Sequence, residues 1–307
     1  MPLETDLLLD RRRLKRRLVF WRLVGLAALA LAAWLGAREA GIAPGGAYVA
    51  RISVAGLIGG DRDAVQALGD AARDRDVKAI VLSIDSPGGA VAAGEALHRA
   101  VGRAAAKKPV AAVMRGMAAS AGYMAALPAH RIFARESTLT GSIGVILETG
   151  EISGLLAKIG VTAETIASGP LKDQPSLARP LDPRGRAALR AIVDDMHDQF
   201  VGMVAAGRRM PEARVRELAD GRAWTGRQAL ALGLIDAIGG EQEAREWLAA
   251  EKGIDRDLPT RDADTGARFG RWVAGGVSET MTAIWKTLIS QGVKVDGPMA
   301  VWHPARD

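Results

Sequence analysis

The chain has 307 residues, which is enough for one large domain or two small ones with a real hydrophobic core. It contains no cysteine, so disulfides, thiolate metal sites and a cysteine nucleophile are all excluded. The net charge is +6, but residues 1–22 hold seven basic and three acidic residues, which leaves the rest nearly balanced and argues against a nucleic-acid-binding surface.

A basic run at residues 11–17 precedes an apolar stretch at residues 18–37, whose one charge, Arg22, can extend its side chain towards the membrane interface. We therefore expect residues 1–17 to be a basic cytoplasmic segment and residues 18–37 a transmembrane helix. Basic flanks stay in the cytoplasm, so the bulk of the chain is expected outside it. A cleaved signal peptide and a buried core helix are the alternatives. Gly and Pro in residues 38–46 indicate a linker.

Strands and helices alternate through the first half of the next segment. Residues 77–84 and 109–114 are apolar runs typical of buried parallel strands. The predicted order is a strand at 48–57, an Asp61-capped helix, a strand at 77–84, a Ser86–Gly89 turn, a helix at 90–105, a strand at 109–114 and a helix at Ser120. Repeated strand–turn–helix units predict an α/β fold with a parallel sheet and right-handed crossovers.

The second half is predicted to hold short strands and more helices, and to close a domain at 47–252. The strands are predicted at 131–134, 143–147 and 161–166, and the helices at 151–159, 183–208, 211–220, 226–233 and 242–252. Residues 253–307 form a C-terminal extension, with a loose segment at 255–270 and an amphipathic helix at 271–290. That helix fits an oligomer contact, a membrane-surface helix or a segment packed on the domain.

Ser120 is the candidate nucleophile, because it lies among small residues directly after a predicted buried strand. A serine hydroxyl needs a neighbouring base, which is usually histidine, although lysine is a known variant. None of the four histidines, His98, His130, His197 and His303, has a motif around it. Lys172, in a loop-like stretch, is the better candidate base.

A catalytic lysine must be neutral, and burial in an apolar pocket favours the neutral amine. Pro170 and Leu171 could supply such a wall, and we expect the neighbouring Asp173 carboxylate to point away from the amine. In the alternative interpretation Lys172 is an ordinary solvated lysine.

Two backbone amides are candidates for an oxyanion hole. The amide of Ala121 follows the nucleophile at the start of a helix, and Gly89, or Gly88, ends another strand where glycine lets the backbone approach a substrate. The alternative is that Ser120 only allows close packing and that the Ser86–Gly89 sequence is an ordinary turn.

Several strings in a fixed order resemble the short form of the signal peptide peptidase A family of bacterial membrane-bound serine proteases. They are Ser86-Pro-Gly-Gly89, Met117-Ala-Ala-Ser120-Ala-Gly-Tyr, Thr140-Gly-Ser142-Ile-Gly-Val, Ser168-Gly-Pro-Leu-Lys172-Asp, Gly221-Arg-Ala-Trp-Thr-Gly226 and Leu232-Gly-Leu-Ile-Asp236. The resemblance extends over about residues 47–248.

This resemblance implies a fold of the Clp/crotonase type and a Ser-Lys peptidase in the bacterial inner membrane, with its catalytic domain in the periplasm. It implies that Ser142 orients the lysine amine and that the chain assembles into a closed homo-oligomeric ring. The implied substrates are remnant signal peptides and other unfolded or membrane-derived peptides, and no metal or organic cofactor is expected.

Two related groups fit less well. Clp-type proteases carry a histidine about twenty-five residues after the nucleophile, and the corresponding residues 138–146 contain none. Enoyl-CoA hydratase relatives depend on acidic catalytic residues and need no membrane anchor. A membrane-tethered scaffold that has this fold but no activity remains the alternative from another functional class.

Overall fold

The computed structural model describes residue 17 and residues 19–31, 46–60, 62–263 and 299–301. The chain divides into two compact units, residues 1–47 and residues 48–307. The Asp61 cap, the amphipathic helix predicted at 271–290 and His303 lie outside the described residues.

Within the first unit, residues 19–31 form helix α1, whose side chains are exposed. Across the described part of the chain, no helix combines the length and the apolar character needed to cross a membrane.

The second unit is built on a sheet that has nine strands among the described residues. The strands are β1 (Tyr48–Ile58), β2 (Val77–Ala90), β3 (Val110–Ala119), β4 (Arg131–Ala134), β5 (Leu139–Gly141), β6 (Ala223–Thr225), β7 (Ala237–Ile238), β8 (Thr260–Asp262) and β9 (Met299–Val301). The helices are α2 (Arg62–Arg73), α3 (Val91–Ala105), α4 (Ala121–Ala126), α5 (Ser153–Lys158), α6 (Pro183–Arg208), α7 (Glu212–Leu218), α8 (Gly226–Ala231) and α9 (Glu241–Lys252).

The sheet is mainly parallel, as the alternation of strands and helices predicts. Its main path runs β6-β5-β3-β2-β1-β8, and β4 pairs with both β3 and β7. Only the β5–β6 and β2–β9 pairs, among those described, are antiparallel. The α/β class is therefore confirmed.

The two faces of the central strands carry separate apolar clusters, because successive side chains of a strand point to opposite faces. Ile80, Leu82 and Ile84 belong to the larger cluster, which also holds residues of α2, α3 and α4. Val81 lies in the smaller cluster with Trp247 of α9. Helix α4, which follows Ser120, therefore packs on the opposite face of the sheet from α9.

The Ser86–Gly89 turn predicted from the sequence is wrong, since β2 continues in extended conformation to Ala90. The pairing of β2 with β1 persists there, with Leu57 opposite Gly88 and Ile58 opposite Gly89. A Cβ atom on Gly89 would lie 2.0 Å from the carbonyl oxygen of Ile58. Glycine is needed here for close approach of two strands and not for a reversal of the chain.

Three predictions for the second half of the chain are also corrected. Residues 143–147 form no regular strand, and the strand in this region is β5, just before them. Residues 161–166 form no strand either, and Val161 and Ile166 are exposed, so this apolar run pairs with no strand. Part of the loose segment predicted at 255–270 forms β8, which pairs in parallel with β1.

An ion pair joins the long helix α6, whose apolar side chains pack in the larger cluster, to the sheet. Arg208, with a side chain only 9% exposed, donates to Asp236 Oδ1 at 2.6 Å and to the carbonyl oxygen of Gly233 at 2.9 Å. The other carboxylate oxygen of Asp236 accepts the backbone N–H of Ile132 in β4 at 2.7 Å. One carboxylate therefore holds a helix, a loop and a strand together.

Replacing Asp236 by Ala should lower the free energy of unfolding by about 3 kcal/mol, because it leaves the Arg208 guanidinium buried without its counter-charge. The matched control is Asp194→Ala, which removes an exposed pair with Arg190 on the same helix and should cost less than about 1 kcal/mol. Urea unfolding measures both. Equal costs for the two variants would contradict the anchoring role of Asp236.

Gly89→Ala should lower the free energy of unfolding by about 3 kcal/mol or more, since the added methyl group collides with backbone and not with a movable side chain. Gly154→Ala in α5, where an added Cβ has no neighbour within 4 Å, serves as the control and should be near neutral. Thermal unfolding of the two variants tests the contact. A stable Gly89→Ala protein would show that β1 and β2 separate at this point.

Candidate active site

Ser120 lies on a sharp turn between β3 and α4. Its φ of 54° and ψ of −119° fall in a sparsely populated region for a residue with a side chain, and such backbone strain concentrates at functional sites. The residue is fully buried, and its Oγ has no hydrogen-bond partner among the described residues. A buried hydroxyl without a partner on a strained strand-to-helix turn is the geometry expected of a held nucleophile.

The backbone around Ser120 is fixed from both sides. Its N–H donates to the carbonyl oxygen of Gly141 at 2.8 Å, and its own carbonyl oxygen accepts the N–H of Met124 at 2.9 Å. Helix α4 is anchored in turn by the buried Tyr123, whose hydroxyl donates to the carbonyl oxygen of Leu234 at 2.7 Å. Burial raises the pKa of this hydroxyl well above its ordinary value, so it remains a donor.

The candidate oxyanion strand lies at the end of β2. Ser86, which is buried, donates its Oγ–H to the carbonyl oxygen of Gly56 at 2.6 Å and accepts the N–H of Gly88 at 3.1 Å. The amide of Gly88 is therefore already engaged, which favours Gly89 of the two predicted glycines. Ala121, the other predicted donor, is the first residue of α4, where backbone N–H groups have no partner within the helix.

One edge of β2 is open to an added strand next to Ser120. The last β3 residue paired with β2 is Ala118, opposite Ser86, so β3 leaves this edge of β2 beyond that point. There the backbone of residues 299–301 pairs antiparallel with Gly88, Gly89 and Ala90. The opposite edge is still taken by β1, so this short strand occupies the side on which Ser120 lies.

Ser142 is brought next to Ser120 by the register of β5 on β3. Ala119 pairs with Gly141, so the two serines each follow the last residue of the pair. Ser142 is 3% exposed and has a φ of 50°, and its N–H donates to the carbonyl oxygen of Arg222 at 3.0 Å. The structure therefore places Ser120, Ser142, Gly89 and Ala121 in one region.

Lys172 is not brought to Ser120 within the single chain. Its side chain is exposed, and it lies in a turn where its N–H donates to the carbonyl oxygen of Gly169 at 3.2 Å. The apolar wall predicted around it is absent from the described part of this chain, where Leu171 is itself exposed. Asp173 pairs with Arg179, which gives its carboxylate a partner other than the lysine amine.

Each of the three described histidines bonds to the backbone. His98 Nδ1 lies 3.0 Å from the carbonyl oxygen of Met124, and His197 Nε2 lies 3.0 Å from that of Ala219. His130 Nδ1 accepts the N–H of Val110, and burial, reinforced by Lys252, lowers the pKa of its ring. None of them bonds to Ser120 Oγ, in line with the sequence-based preference for another base.

Two residues near Ser120 were missed by sequence reasoning. Gly141 supplies the carbonyl oxygen that fixes the Ser120 amide, and Trp224 packs against Gly141. Both lie within strings that resemble the family, so the strings were a signal, but only the strand register shows that the two residues meet.

Comparison with known proteins identifies the family of this chain. The model of peptidase family S49 matches residues 103–255, which include Ser120, Ser142 and Lys172. A putative protease of Synechocystis is 39% identical over 236 residues, which cover 76% of this chain and 85% of that protein.

Two further relatives carry more specific names. A putative signal peptide peptidase SppA of Enterococcus faecium is 38% identical over 210 residues, covering 67% of this chain and 60% of that protein. Protease 4 of Salmonella typhi is 39% identical over 190 residues, covering 62% of this chain and 30% of that protein. The chain therefore spans less than two thirds of the length of these two relatives. With most of the cyanobacterial relative covered and the S49 model matched across the candidate site, the chain belongs to peptidase family S49, among the proteases of the signal peptide peptidase A type.

Proposed function

We propose that this chain is a membrane-anchored serine endopeptidase in which Ser120 is the nucleophile and Lys172 the general base. The observation that carries the proposal is the buried Oγ of Ser120, which has no partner among the described residues and is held on a strained turn beside the edge of β2 that pairs with residues 299–301. Membership of the family supports peptide-bond hydrolysis, and the chemistry of the candidate residues suggests the steps of the reaction.

In the proposed reaction, Ser120 Oγ attacks the peptide carbonyl carbon while its proton passes to the neutral amine of Lys172. The amides of Gly89 and Ala121 donate to the oxyanion that forms. The C–N bond then breaks as Lys172 returns the proton to the leaving amine. Water, deprotonated by the same lysine, attacks the acyl-serine ester, and the bond to Ser120 Oγ breaks as the lysine passes that proton to Oγ, which restores the serine and releases the second product. The hydroxyl of Ser142 forms a hydrogen bond with the amine of Lys172 and orients that amine towards Ser120 Oγ.

We place the substrate at the edge of β2 that pairs with residues 299–301. A peptide that paired antiparallel with Gly88–Ala90, as residues 299–301 do, would run past Ser120 in extended conformation. Binding through backbone hydrogen bonds on a sheet edge requires an unfolded segment and is tolerant of sequence. Remnant signal peptides and other unfolded or membrane-derived peptides meet this requirement.

The exposed position of Lys172 is relevant to how copies of this chain assemble. Among the described residues of the single chain, Lys172 makes no hydrogen bond to Ser120 Oγ, so the dyad requires either movement of its loop or a lysine supplied by a neighbouring copy. The segment around it exposes several large apolar side chains, and α5 contains no buried residue. These exposed side chains are Leu155, Ile159, Ile166, Leu171 and Leu177. Apolar surface of this extent is typical of an interface, which supports a homo-oligomeric ring with Lys172 at its contacts.

Ser120→Ala and Lys172→Ala should each reduce peptide hydrolysis about 10³-fold or more while leaving the protein folded, because the two groups act as a unit. Lys172→Arg should be equally inactive, since a guanidinium stays protonated. Lys158→Ala, another lysine on the same exposed segment, is the matched control and should retain activity. Near-normal turnover by Lys172→Ala would contradict the mechanism, and a folded wild-type protein without hydrolysis would favour the inactive scaffold.

Mixing the two inactive variants shows where the lysine comes from. If a neighbouring copy supplies it, co-assembled Ser120→Ala and Lys172→Ala chains should recover up to about a quarter of wild-type activity, the statistical share of sites that have both groups. A mixture that co-assembles and stays inactive would place the lysine in the same chain as its serine.

The membrane anchor is proposed from the sequence of residues 1–37 and from the surface of α1. Large apolar side chains along α1, such as Phe20, Trp21 and Leu29, are exposed. Water does not favour such a surface, whereas a bilayer covers it. The basic run before it supports a cytoplasmic N-terminus and a periplasmic peptidase domain in a bacterial inner membrane.

An alkaline phosphatase fused after residue 46 should be active outside the cytoplasm, and the mature protein should retain residues 1–37. Enzyme assay of the fusion and N-terminal sequencing of the membrane fraction measure both. Reversing the charge of the basic run, with Lys15 and the arginines at 11–13 and 16–17 changed to Glu, should reduce the exported fraction. Mature protein that begins near Arg38 would indicate a cleaved signal peptide instead.

A further inference from the structure

The nucleophile's backbone rests on a second layer of contacts that leads to Trp224. Strand β6 pairs antiparallel with β5, which places Trp224 opposite Thr140 and Ala223 opposite Gly141. Strand β5 in turn pairs in parallel with the end of β3, and Ser120 is the residue that follows β3. The ends of β3, β5 and β6 therefore lie side by side next to Ser120.

The indole of Trp224 occupies the space that a side chain at residue 141 would need. A Cβ atom on Gly141 would lie 2.7 Å from Trp224 Cδ1, and Gly141 has a φ of +80° that favours glycine. The carbonyl oxygen of this glycine accepts the Ser120 N–H at 2.8 Å. The ring therefore packs against Gly141, whose carbonyl oxygen fixes the backbone of Ser120.

The ring also lies close to Arg222. The guanidinium of Arg222 lies 5.4 Å from the centre of the Trp224 ring, and its Nε donates to Asp220 at 2.6 Å. The carbonyl oxygen of the same arginine accepts the N–H of Ser142 at 3.0 Å. Residues 220–224 therefore clamp Gly141 and Ser142 through both a ring and a backbone bond.

The indole Nε1 is buried and has no hydrogen-bond partner in the described part of the chain. A buried tryptophan N–H usually finds an acceptor, and the described residues supply none here. The contact that they do give the ring is its packing against Gly141. Ser120 Oγ and Trp224 Nε1 are two of only three such orphaned side-chain atoms among the described residues.

We infer that Trp224 is a positioning residue of the peptidase: its indole fixes the Gly141 peptide and, through that carbonyl, the strained backbone of Ser120. The inference rests on the proposed role of Ser120 as nucleophile. A displacement of the hydroxyl by about 1 Å is enough to reduce turnover about 10²-fold, so loss of the ring acts on the chemical step and not on peptide binding at β2.

The test compares kcat and KM, per titrated active site, for Trp224→Ala, Trp224→Phe and the control Trp247→Ala. Trp224→Ala should lower kcat about 10²-fold with KM within about threefold of wild type. Trp224→Phe keeps a flat ring and loses an N–H that has no partner among the described residues, so its kcat should stay within about threefold. Trp247, 8% exposed in the cluster on the opposite sheet face, should lose stability when truncated but keep its kcat.

A Trp224→Ala protein that is less stable but has normal kcat per site would overturn the inference, because it would show a purely structural role. If that variant does not fold, Trp224→Leu retains apolar volume without the flat ring and should lower kcat about tenfold. Unchanged kcat in Trp224→Leu would overturn the inference as well. Hydrolysis by Ser120→Ala would instead refute the proposed nucleophile, so the two failures are distinguishable.

Discussion

The candidate site depends on one backbone hydrogen bond, from the N–H of Ser120 to the carbonyl oxygen of Gly141. It joins the residue that follows β3 to the last residue of β5. It also holds Ser120 in a backbone conformation that costs about 1–3 kcal/mol when no other contact compensates. The parallel register of β3 and β5 sets this bond, and the same register places Ser142 beside Ser120. The strained backbone of Ser120 is thus a consequence of sheet pairing.

Close approach of backbones is the second requirement, and small residues meet it. Gly89 lets β1 and β2 stay paired to the end of β1. A Cβ atom on Gly94 of α3 would lie 2.8 Å from the Cβ of Ala121. A side chain at residue 89 would displace β2 from β1, and one at residue 94 would displace α4 from α3. Strand β2 and helix α4 are the elements that carry the two proposed oxyanion amides. The alanine and glycine content of the chain therefore serves the site as well as the core.

The sequence predicted the α/β class, the long strands and helices and the neighbourhood of Ser120, because apolar periodicity and strand–helix alternation are local signals. Helix α6 was predicted with its observed bounds. The Ser86–Gly89 segment was mistaken for a turn, since Pro and two glycines indicate turns wherever no partner strand is known. Strands β5 and β6 have three residues each and are specified only by what they pair with.

The site was predicted in the same uneven way. Ser120, Ser142, Gly89 and Ala121 lie in one region, as the motifs indicate, whereas Gly141 and Trp224 emerge only from strand register. Lys172 is in the predicted turn-like stretch but is exposed in the single chain. A contact between copies cannot be predicted from one sequence alone, and the exposed apolar segment around Lys172 is the observation that supports the proposed contact.

The central claim is that Ser120 is a nucleophile activated by Lys172, and mapping of a covalent adduct tests it most directly. The folded wild-type protein is treated with a serine-directed phosphonate, digested and analysed by mass spectrometry. If Lys172 activates Ser120, a single adduct should form, on Ser120, and it should be lost in Lys172→Ala. An adduct on a different serine, or undiminished modification of Ser120 without Lys172, would contradict it.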